Sequence, residues 1–330
     1  MILAGDIGGT KTDLGLFQIK GKKLTVIRHE TFPSRQFKSL DEVVQQFLRR
    51  EDGPAHAACF GVAGPVIDGK CETTNLPWIV DAKTLGKRFG IPSVTLLNDL
   101  EAMAYGTLWL NQRERYPLNP GKPQLIGNRC VIAAGTGLGE AILFWNGSEY
   151  KTSATEGGHA DFAPRNETEI RLLEYMLKRH TRVSYERILS GPGLFNIYQF
   201  LRESGQYKEL SRISKSIEKN DPSAVISEMA LKGKSELCVK SLDLFISIYG
   251  AEAGNLALKV MATGGVYIGG SIGIKLLKKL KEGSFMKSFE NKGRMGLLMS
   301  QMPVHVILNK TTPLLGAAHF SAHFPLSKAI

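Results

Sequence analysis

Two short glycine-rich turns, each joining two apolar strands, constrain this sequence more than any other feature. The first occupies residues 6–10 (Asp-Ile-Gly-Gly-Thr) and the second residues 135–139 (Gly-Thr-Gly-Leu-Gly). The residues after each turn alternate between apolar and polar or small, as in a strand, whereas a Walker loop or a Rossmann turn would lead into a helix. Because glycine has no Cβ, such turns can present backbone N–H groups to a polyphosphate. One turn alone is equally typical of a β-hairpin, but the duplication favours a protein that splits ATP.

Length and composition predict an ordinary two-domain globular chain. The 330 residues are 43% hydrophobic, enough for a core in each domain. The apolar start of the chain is interrupted at Asp6, so we expect neither a signal peptide nor a membrane partner, and a cytoplasmic location. The four cysteines are far apart in the sequence, which predicts buried, reduced thiols and no zinc knuckle.

The net charge of +11 raises the question of nucleic-acid binding. Its densest part is the segment 275–294, where lysines surround apolar residues at helical spacing and no aromatic residues alternate with them. This pattern predicts the solvated face of a surface helix and no nucleic-acid partner. The positive surplus also attracts anionic nucleotides.

The order of elements predicts where the two domains divide. A capping box at 39–42 opens a helix, and Ser93–Asn98 reads as a buried strand. The Pro- and Gly-rich stretch 111–128 is predicted to be a connection between domains. We therefore predict a smaller α/β domain of residues 1–110 plus 310–330 and a larger α/β domain of residues 111–309, with a helix from Thr311 to Phe324 returning to the smaller one.

Asn98 and Asp99 are the best candidates for chemistry. Phosphoryl transfer to an alcohol needs a carboxylate aimed at the attacking hydroxyl, and Asp99 stands where a buried strand ends and a helix begins. The alternative is that Asp99 only caps that helix. The neighbouring amide of Asn98 can both donate to and accept from a sugar hydroxyl, which favours the catalytic interpretation.

Three further segments carry polar or glycine-rich patterns. Residues 156–161 (Glu-Gly-Gly-His-Ala-Asp) place two carboxylates and an imidazole around two glycines, which favours binding of hydroxyls over a metal because His159 has no partner histidine at helical spacing. Glu186 alone would be an exposed helix residue. The passage 263–270 could let an adenine ring approach the backbone, or could be a plain strand.

Taken together, these segments resemble the bacterial glucokinase family of the hexokinase and actin superfamily, over nearly the whole chain. The matching runs, in family order, lie at 6–10, 97–102, 135–139, 156–162, 186–193 and 264–268. The resemblance implies two actin/hexokinase-like (ribonuclease H-like) domains, each a mixed five-stranded sheet with helices, around a cleft. It also implies ATP-dependent phosphorylation of glucose to glucose 6-phosphate, with ATP and Mg²⁺, and a homodimer.

The resemblance implies a role for each candidate residue. Asp99 would be the general base toward the sugar 6-hydroxyl, and Asp6 would sit near the Mg²⁺ through a water molecule. Sugar hydroxyls would be held by Asn98, Asp99, Glu156, His159, Glu186 and, more weakly, Asn75. The nucleotide would be bound by Asp6, Gly8, Gly9, Thr10, Lys11, Gly135, Thr136, Gly137, Gly139, Gly264 and Gly265, the last two bordering adenosine.

Some alternatives stay open at the level of sequence. Lys11 stands where many family members have Asn, and either touches phosphate or points to solvent. A kinase for another hexose or an amino sugar would share every motif. A nonenzymatic sugar sensor or actin-like ATP-binding scaffold would bind nucleotide without sugar-dependent turnover.

Overall fold

The computed structural model describes residues 1–20, 23–49, 53–124 and 126–323. Phe324, the last residue of the predicted C-terminal helix, and residues 325–330 of the predicted smaller domain lie outside the described residues.

The described strands, in chain order, are β1 (Ile2–Ile7), β2 (Lys11–Lys20), β3 (Lys23–Pro33), β4 (Ala57–Val62), β5 (Val66–Ile67), β6 (Lys70–Glu72), β7 (Ile79–Asp81), β8 (Ser93–Asn98), β9 (Arg115–Asn119), β10 (Arg129–Ala134), β11 (Leu138–Trp145), β12 (Tyr150–Thr155), β13 (Gly265–Gly269) and β14 (Val304–Ile307). The described α-helices are α1 (Leu40–Phe47), α2 (Ala82–Phe89), α3 (Asp99–Gly106), α4 (Glu167–Leu177), α5 (Gly191–Glu203), α6 (Ser211–Lys219), α7 (Pro222–Leu231), α8 (Glu236–Val260), α9 (Gly270–Lys275), α10 (Leu277–Leu280), α11 (Ser284–Glu290), α12 (Gly296–Gln301) and α13 (Thr312–His323).

The first sheet has the order β3-β2-β1-β4-β8 in the described part of the chain. β1 runs antiparallel to β2, but β1, β4 and β8 are parallel, with Asp6 opposite Gly61 and Gly61 opposite Leu97. Successive residues of β1 enter different cores: Leu3 packs with residues of α1 and α2, and Ala4 with residues of α3 and α13. Helices therefore cover both faces, and the carboxyl ends of three parallel strands meet at one edge.

The second sheet has the order β12-β11-β10-β13-β14-β9 among the described residues, and β10, β13 and β14 are parallel. The buried hydroxyl of Tyr249 ties α8 to β10, since it donates to the carbonyl of Ile132 and accepts from the N–H of Ala134, at 3.2 Å each. The sheet has six strands where five were expected. The additional strand, β9, lies in the stretch predicted to be only a connection, and its Pro117 is tolerated because β9 is an edge strand.

The helical predictions are confirmed with local corrections. Ser39 caps α1 and accepts from the N–H of Glu42, but the Glu42 carboxylate accepts from Lys38 instead of completing the box with Ser39. The lysine-rich segment is not one surface helix: α9 and α10 are separated at Leu276, whose side chain is buried. The long helix α8 is capped by Ser235.

Contacts divide the chain into two compact units. Unit 1 comprises residues 1–115, 141–154 and the chain from Asn309, and unit 2 comprises 116–140 and 155–308. The predicted division assigns 141–154 to the larger domain instead. Each unit contains two free, buried cysteines: Cys59 and Cys71 in unit 1, Cys130 and Cys238 in unit 2. No helix in the described ranges is both long and apolar enough to cross a bilayer.

Candidate active site

Asp6 lies at the carboxyl end of the central strand of unit 1. It is partly buried, and burial together with the nearby carboxylates of Asp99 and Asp13 raises its pKa from 3.8 to about 7, against the opposing effect of Lys11. A carboxyl group in this position loses its proton readily only if a cation comes close. Within unit 1, Asp6 therefore lies near Asp99, which follows the end of β8.

Asn98 and Asp99 occupy the junction between β8 and α3, and their roles in the helix differ. Asn98 is the N-cap: its Oδ1 accepts from the N–H of Leu100 at 2.9 Å, and its own N–H donates to Glu101 at 3.1 Å, which completes a capping box. Asp99 is the first residue of the helix proper. The Oδ1 of Asp99 also accepts from the N–H of Leu100, at 2.9 Å, so Asp99 shares in the capping that Asn98 and Glu101 provide.

Gly61 sets how closely α3 approaches the sheet. A Cβ at this position would lie 2.8 Å from the Cβ of Ala102 and 3.5 Å from the Cα of Asp99. Any larger residue would push α3 away from β4. The position of Asp99 therefore depends on a glycine in the neighbouring strand.

The first glycine turn is closed by hydrogen bonds from Gly8 to the carbonyl of Lys11, at 3.0 Å, and from Ser34 Oγ to the carbonyl of Gly8, at 2.7 Å. A Cβ at Gly9 would lie 2.5 Å from the Cβ of Asn75, so the structure brings Asn75 against this turn. The ammonium of Lys11 is 2.5 Å from Asp13 Oδ2. Thr10 is exposed.

Lys11 is exposed, and its ammonium pairs with the carboxylate of Asp13. Burial opposes ionisation of Asp13, but hydrogen bonds from Lys11 and Thr31 outweigh it and hold the pKa of Asp13 below its usual value. The carboxylate of Asp13 thus keeps the Lys11 side chain at the rim of the first turn.

Glu186 is bound to the second glycine turn in unit 2. Its Oε2 accepts from the N–H of Leu138 at 3.0 Å, and a Cβ at Gly137 would lie 2.4 Å from the same oxygen. Gly135 is held on both sides, because its N–H donates to Gly137 and its carbonyl accepts from Gly191, each at 2.8 Å. Thr136 is exposed at the tip, and Gly139 already belongs to β11. Glu186, which sequence alone placed on an exposed helix, lies in a 3₁₀ turn, Tyr185–Arg187.

The loop that carries Glu156 and His159 packs against the same turn. A Cβ at Gly158 would lie 2.0 Å from the carbonyl oxygen of Leu138. The two side chains are exposed and close, with His159 Nε2 3.9 Å from Glu156 Oε2. Arg182 binds the loop from outside, donating to the carbonyl of His159 and to Asp161. Within unit 2 the structure therefore brings Glu156, His159 and Glu186 together around the second turn.

Gly264 and Gly265 are not brought together with that turn. Gly264 donates to the carbonyl of Asn128, and Gly265 pairs with Arg129, at the beginning of β10. The second turn follows the end of β10, about 20 Å away at about 3.3 Å per strand residue. Gly264 and Gly265 therefore lie at the opposite edge of the sheet from the second turn.

Gly270, at the other end of the same glycine-rich passage, does lie at the edge of the second turn. Its φ is +78°, and a Cβ there would lie 2.9 Å from the carbonyl oxygen of Ala134. Beside it is a small cavity of about 50 Å³. The cavity is lined by Gly191, Leu194, Asp221, Ser223, Ala224, Ser227, Phe245, Ile272, Lys275 and Leu276.

In the described ranges no group of three or more His, Cys, Asp or Glu side chains is arranged as it would be around a metal ion.

The sequence also held a signal that the motifs did not use. Glu140 begins an apolar strand and Glu252 lies inside a long apolar helix, and an acid in such surroundings must be neutral or paired. Both are buried in the structure, and Glu140 lies beneath the loop that carries Glu156 and His159.

Comparison with known proteins identifies the family of this chain. The family model described as "Glucokinase" matches residues 3–324. A glucokinase of Nostoc sp. is 43% identical, with 96% of this chain and 98% of that protein aligned. The crystal structure of a glucokinase from an Antarctic psychrotroph is similar with a TM-score of 0.86 at 30% identity, covering 98% of this chain and 99% of that one.

A more distant structure shares the fold. The glucokinase of the ROK family from Streptomyces griseus has a TM-score of 0.65 at 20% identity, with 98% and 99% of the two chains covered. The α/β architecture expected from the resemblance is thus confirmed. The extent of the family match and the identity to its members lead to one conclusion: the chain belongs to the glucokinase family.

Proposed function

We propose that this protein is an ATP-dependent glucokinase, which transfers the γ-phosphoryl group of ATP to the 6-hydroxyl of glucose and releases ADP. The observation that carries the proposal is the position of Asp99, at the carboxyl end of a parallel strand and beside Asp6, with Asn98 as the N-cap of the helix. Membership of the glucokinase family supports glucose as the acceptor, and the Streptomyces griseus structure is a complex with glucose and AMPPNP.

In the proposed mechanism Asp99 accepts the proton of the 6-hydroxyl as the O6–Pγ bond forms and the bond from Pγ to the ADP oxygen breaks. Phosphoryl transfer requires mainly positioning and charge stabilisation. Asn98 retains an amide hydrogen beyond the one it donates to Gly64, which supports a bond to a hydroxyl. We assign the remaining hydroxyls to Glu156, His159 and Glu186.

The two glycine turns are proposed to bind phosphate through their backbone N–H groups. Asn75, packed on Gly9, would then help to shape the first turn as much as contact sugar. For adenosine we propose the cavity beside Gly270, whose lining includes Ser223 and Lys275, in place of Gly264 and Gly265. At about 50 Å³ the cavity admits a purine only after movement of flexible side chains such as Lys275.

The residues around Asp6 fit a magnesium ion that arrives with ATP. Mg²⁺ in kinases is usually held by one or two carboxylates, by water and by the phosphates of the substrate, so a cluster of protein ligands is not needed. The carboxyl of Asp6, with its pKa raised by burial and by Asp99 and Asp13, is the group that a divalent cation would stabilise as carboxylate. When bound, the ion would neutralise charge on the phosphates.

We also propose that the enzyme works in the cytoplasm and forms a homodimer. The dimer follows from the family resemblance, and the cytoplasmic location is supported by the free, buried thiols, which are typical of a reducing compartment. Sedimentation at micromolar concentration tests the dimer, since a single species of monomer mass would contradict it.

The function is tested by measuring ADP release with a panel of hexoses and amino sugars, using ATP, GTP and polyphosphate as donors. We expect the highest kcat/KM for glucose with ATP. A higher value for another sugar would identify a different hexose kinase. Nucleotide binding without sugar-dependent turnover would contradict the proposal and favour the sensor or scaffold.

A further inference from the structure

A pair of buried acids lies in unit 2 beneath the loop that carries Glu156 and His159. Glu140 is 2% exposed and Glu252 is 0% exposed. The carboxyl group of Glu252 interacts with that of Glu140, and the Oε1 atom of each is buried with no hydrogen-bond partner among the described residues. Two ionised carboxylates are both acceptors, so the contact is stable only if a proton lies between them.

The nearby lysines do not take the place of that proton between the two carboxyl groups. Lys259 and Lys292 favour the ionised form of Glu252, and Lys259 does so for Glu140. The ammonium of Lys292, however, donates to the carbonyl of Ala251 and to Asn255 Oδ1, at 2.9 and 2.5 Å. Burial and the repulsion of Glu252 raise the pKa of Glu140 to about 8. The other titratable groups that interact with the pair or its lysines are Cys130, Arg165, Tyr185 and Tyr249.

Glu140 supports the first sugar-binding segment directly. A Cβ at Gly157 would lie 2.0 Å from Glu140 Oε2, so the carboxyl group fills the space under this glycine. The carbonyl of Glu140 also accepts from Thr155 Oγ1 at 3.2 Å, and that oxygen accepts from the N–H of Gly157 at 3.1 Å. Both the side chain and the backbone of Glu140 thus define where the loop begins.

Glu252 supports the second segment. Asn255 Nδ2 donates to Glu252 Oε2 at 2.8 Å and to the hydroxyl of Tyr185 at 3.1 Å. The Tyr185 hydroxyl is also hydrogen-bonded to Glu252. Tyr185 directly precedes Glu186 in the 3₁₀ turn. The acid pair is therefore in contact with both segments of unit 2 that carry candidate sugar ligands.

We propose that Glu140 is a positioning residue for glucose binding, and that the proton it shares with Glu252 holds the segments of Glu156, His159 and Glu186 in their binding arrangement. The inference rests on the proposed function, which assigns those three side chains to sugar. Loss of the shared proton leaves two negative charges side by side, which must separate and displace Gly157 and Tyr185. Glucose binding weakens as a result, whereas nucleotide binding, which uses other groups, does not.

The test is the pH dependence of glucose binding and turnover from pH 6.5 to 9.5. We compare the wild type with Glu140→Gln, Glu140→Ala and the control Glu167→Gln, which alters an exposed glutamate of the same unit. Calorimetric Kd for glucose, KM for glucose and ATP, and kcat are measured for each. For the wild type we expect KM and Kd for glucose to rise about tenfold between pH 7 and 9, since one pH unit above the pKa of a required proton costs about a factor of ten.

Glutamine keeps a donor at every pH, so the Glu140→Gln variant is expected to bind glucose with an affinity that changes less than about twofold over the range. Glu140→Ala is expected to raise the glucose KM at all pH values, and Glu167→Gln to keep the wild-type profile. KM for ATP remains within about twofold of the wild-type value throughout.

The inference is overturned if the wild-type glucose Kd does not change with pH, a result that needs no variant. It is also overturned if Glu140→Gln retains the wild-type profile, or if that variant raises both KM values equally, which would indicate a general structural role. A wild type that phosphorylates glucose at pH 7 but gives one of these results refutes the inference alone. A wild type that neither binds nor phosphorylates glucose refutes the proposed function as well.

Discussion

At the scale of single residues, Asn98 and Asp99 stand side by side at the junction of β8 and α3. Asn98 is the N-cap of α3, and Asp99 carries the carboxylate that we propose as the general base. We expect Asp99→Asn to lower kcat by about 10²- to 10⁴-fold with little change in the KM for glucose, because the amide keeps the shape but cannot accept the proton. Steady-state kinetics measure this effect.

The matched control is Asp81→Asn. Asp81 is the N-cap of α2 in the same unit, where its Oδ1 accepts from the N–H groups of Lys83 and Thr84. Asparagine caps a helix about as well as aspartate, so this variant should keep its activity and stability. If Asp99→Asn behaved in the same way, the carboxylate of Asp99 would have no part in the chemistry.

The sequence indicated where some of the candidate residues lie and left the place of others open. Asn98, Asp99 and Asp6 could be placed because parallel strands end at a common edge. Gly264 and Gly265 could not, since a glycine-rich passage that spans a whole strand does not reveal which of its ends faces the ligand. Glu140 was missed because motifs are defined by the residues on the ligand side of a turn, and Glu140 acts from beneath.

At the scale of elements, the packing of α3 on β4 connects the sheet to the catalytic side chain. We expect Gly61→Ala to destabilise the protein by about 1–3 kcal/mol and to lower kcat, since its Cβ would overlap that of Ala102 and push α3, which carries Asp99, away from β4. Urea unfolding and steady-state kinetics measure the two effects.

The double variant Gly61→Ala/Ala102→Gly provides the control. Removing the Cβ of Ala102 leaves only the ordinary 3.5 Å contact with Asp99 Cα, so activity should recover even though glycine in a helix costs about 1 kcal/mol. Strictly additive effects of the two substitutions would show that the close approach does not position Asp99.

The acid pair between β11 and α8 predicts how stability depends on pH. The pKa of Glu140 is raised from 4.5 to about 8, so the folded state keeps a proton that the unfolded chain releases above pH 4.5. The stabilisation is full below pH 4.5 and is lost as the pH rises to about 8. Relative to Glu140→Gln, the wild type should therefore lose stability between pH 5 and 8, by about 1.4 kcal/mol for each pH unit at most.

Unfolding by urea at fixed pH values measures this difference. The Glu167→Gln variant should follow the wild type, because the Glu167 side chain is exposed and its surface ion pair with Arg171 contributes little to stability. Parallel stability curves for the wild type and Glu140→Gln would mean that Glu140 is ionised in the folded protein.

Among the helices and strands, the sequence pattern gave correct predictions where one face of the element enters a core. The period of α1 and the apolar run of β8 were both predicted, since their burial follows from the cores they enter. β9 was not, because an edge strand with a proline has the composition of a loop and is defined only by its pairing with β14.

At the scale of the whole molecule, the excess of 42 basic over 31 acidic residues acts on a nucleotide that carries several negative charges. We expect the KM for ATP to rise a few-fold between low and physiological ionic strength, and the KM for uncharged glucose to stay constant. Kinetics in increasing KCl at fixed free Mg²⁺ test this. Equal changes in both KM values would indicate a salt effect on the fold instead of on nucleotide attraction.

The long-range packing within unit 1 is the part of the fold that local sequence patterns do not show. Periodicity identifies strands and helices one at a time, but the return of α13 to β1 depends on contacts between residues some 300 positions apart, such as Ala317 with Ala4. No window of the sequence contains both partners.

The burial of the four thiols turns the cysteines into reporters of local opening. Burial raises the pKa of Cys71 to about 11 and raises that of Cys59 and Cys130 further, so a maleimide can react only with a molecule whose structure has opened around the sulfur. Because two cysteines lie in each unit, peptide mapping of labelled protein would give separate opening rates for unit 1 and unit 2. Saturating glucose or ATP should slow labelling in whichever unit binds it, which makes the native thiols a readout of ligand binding that needs neither turnover nor an engineered cysteine.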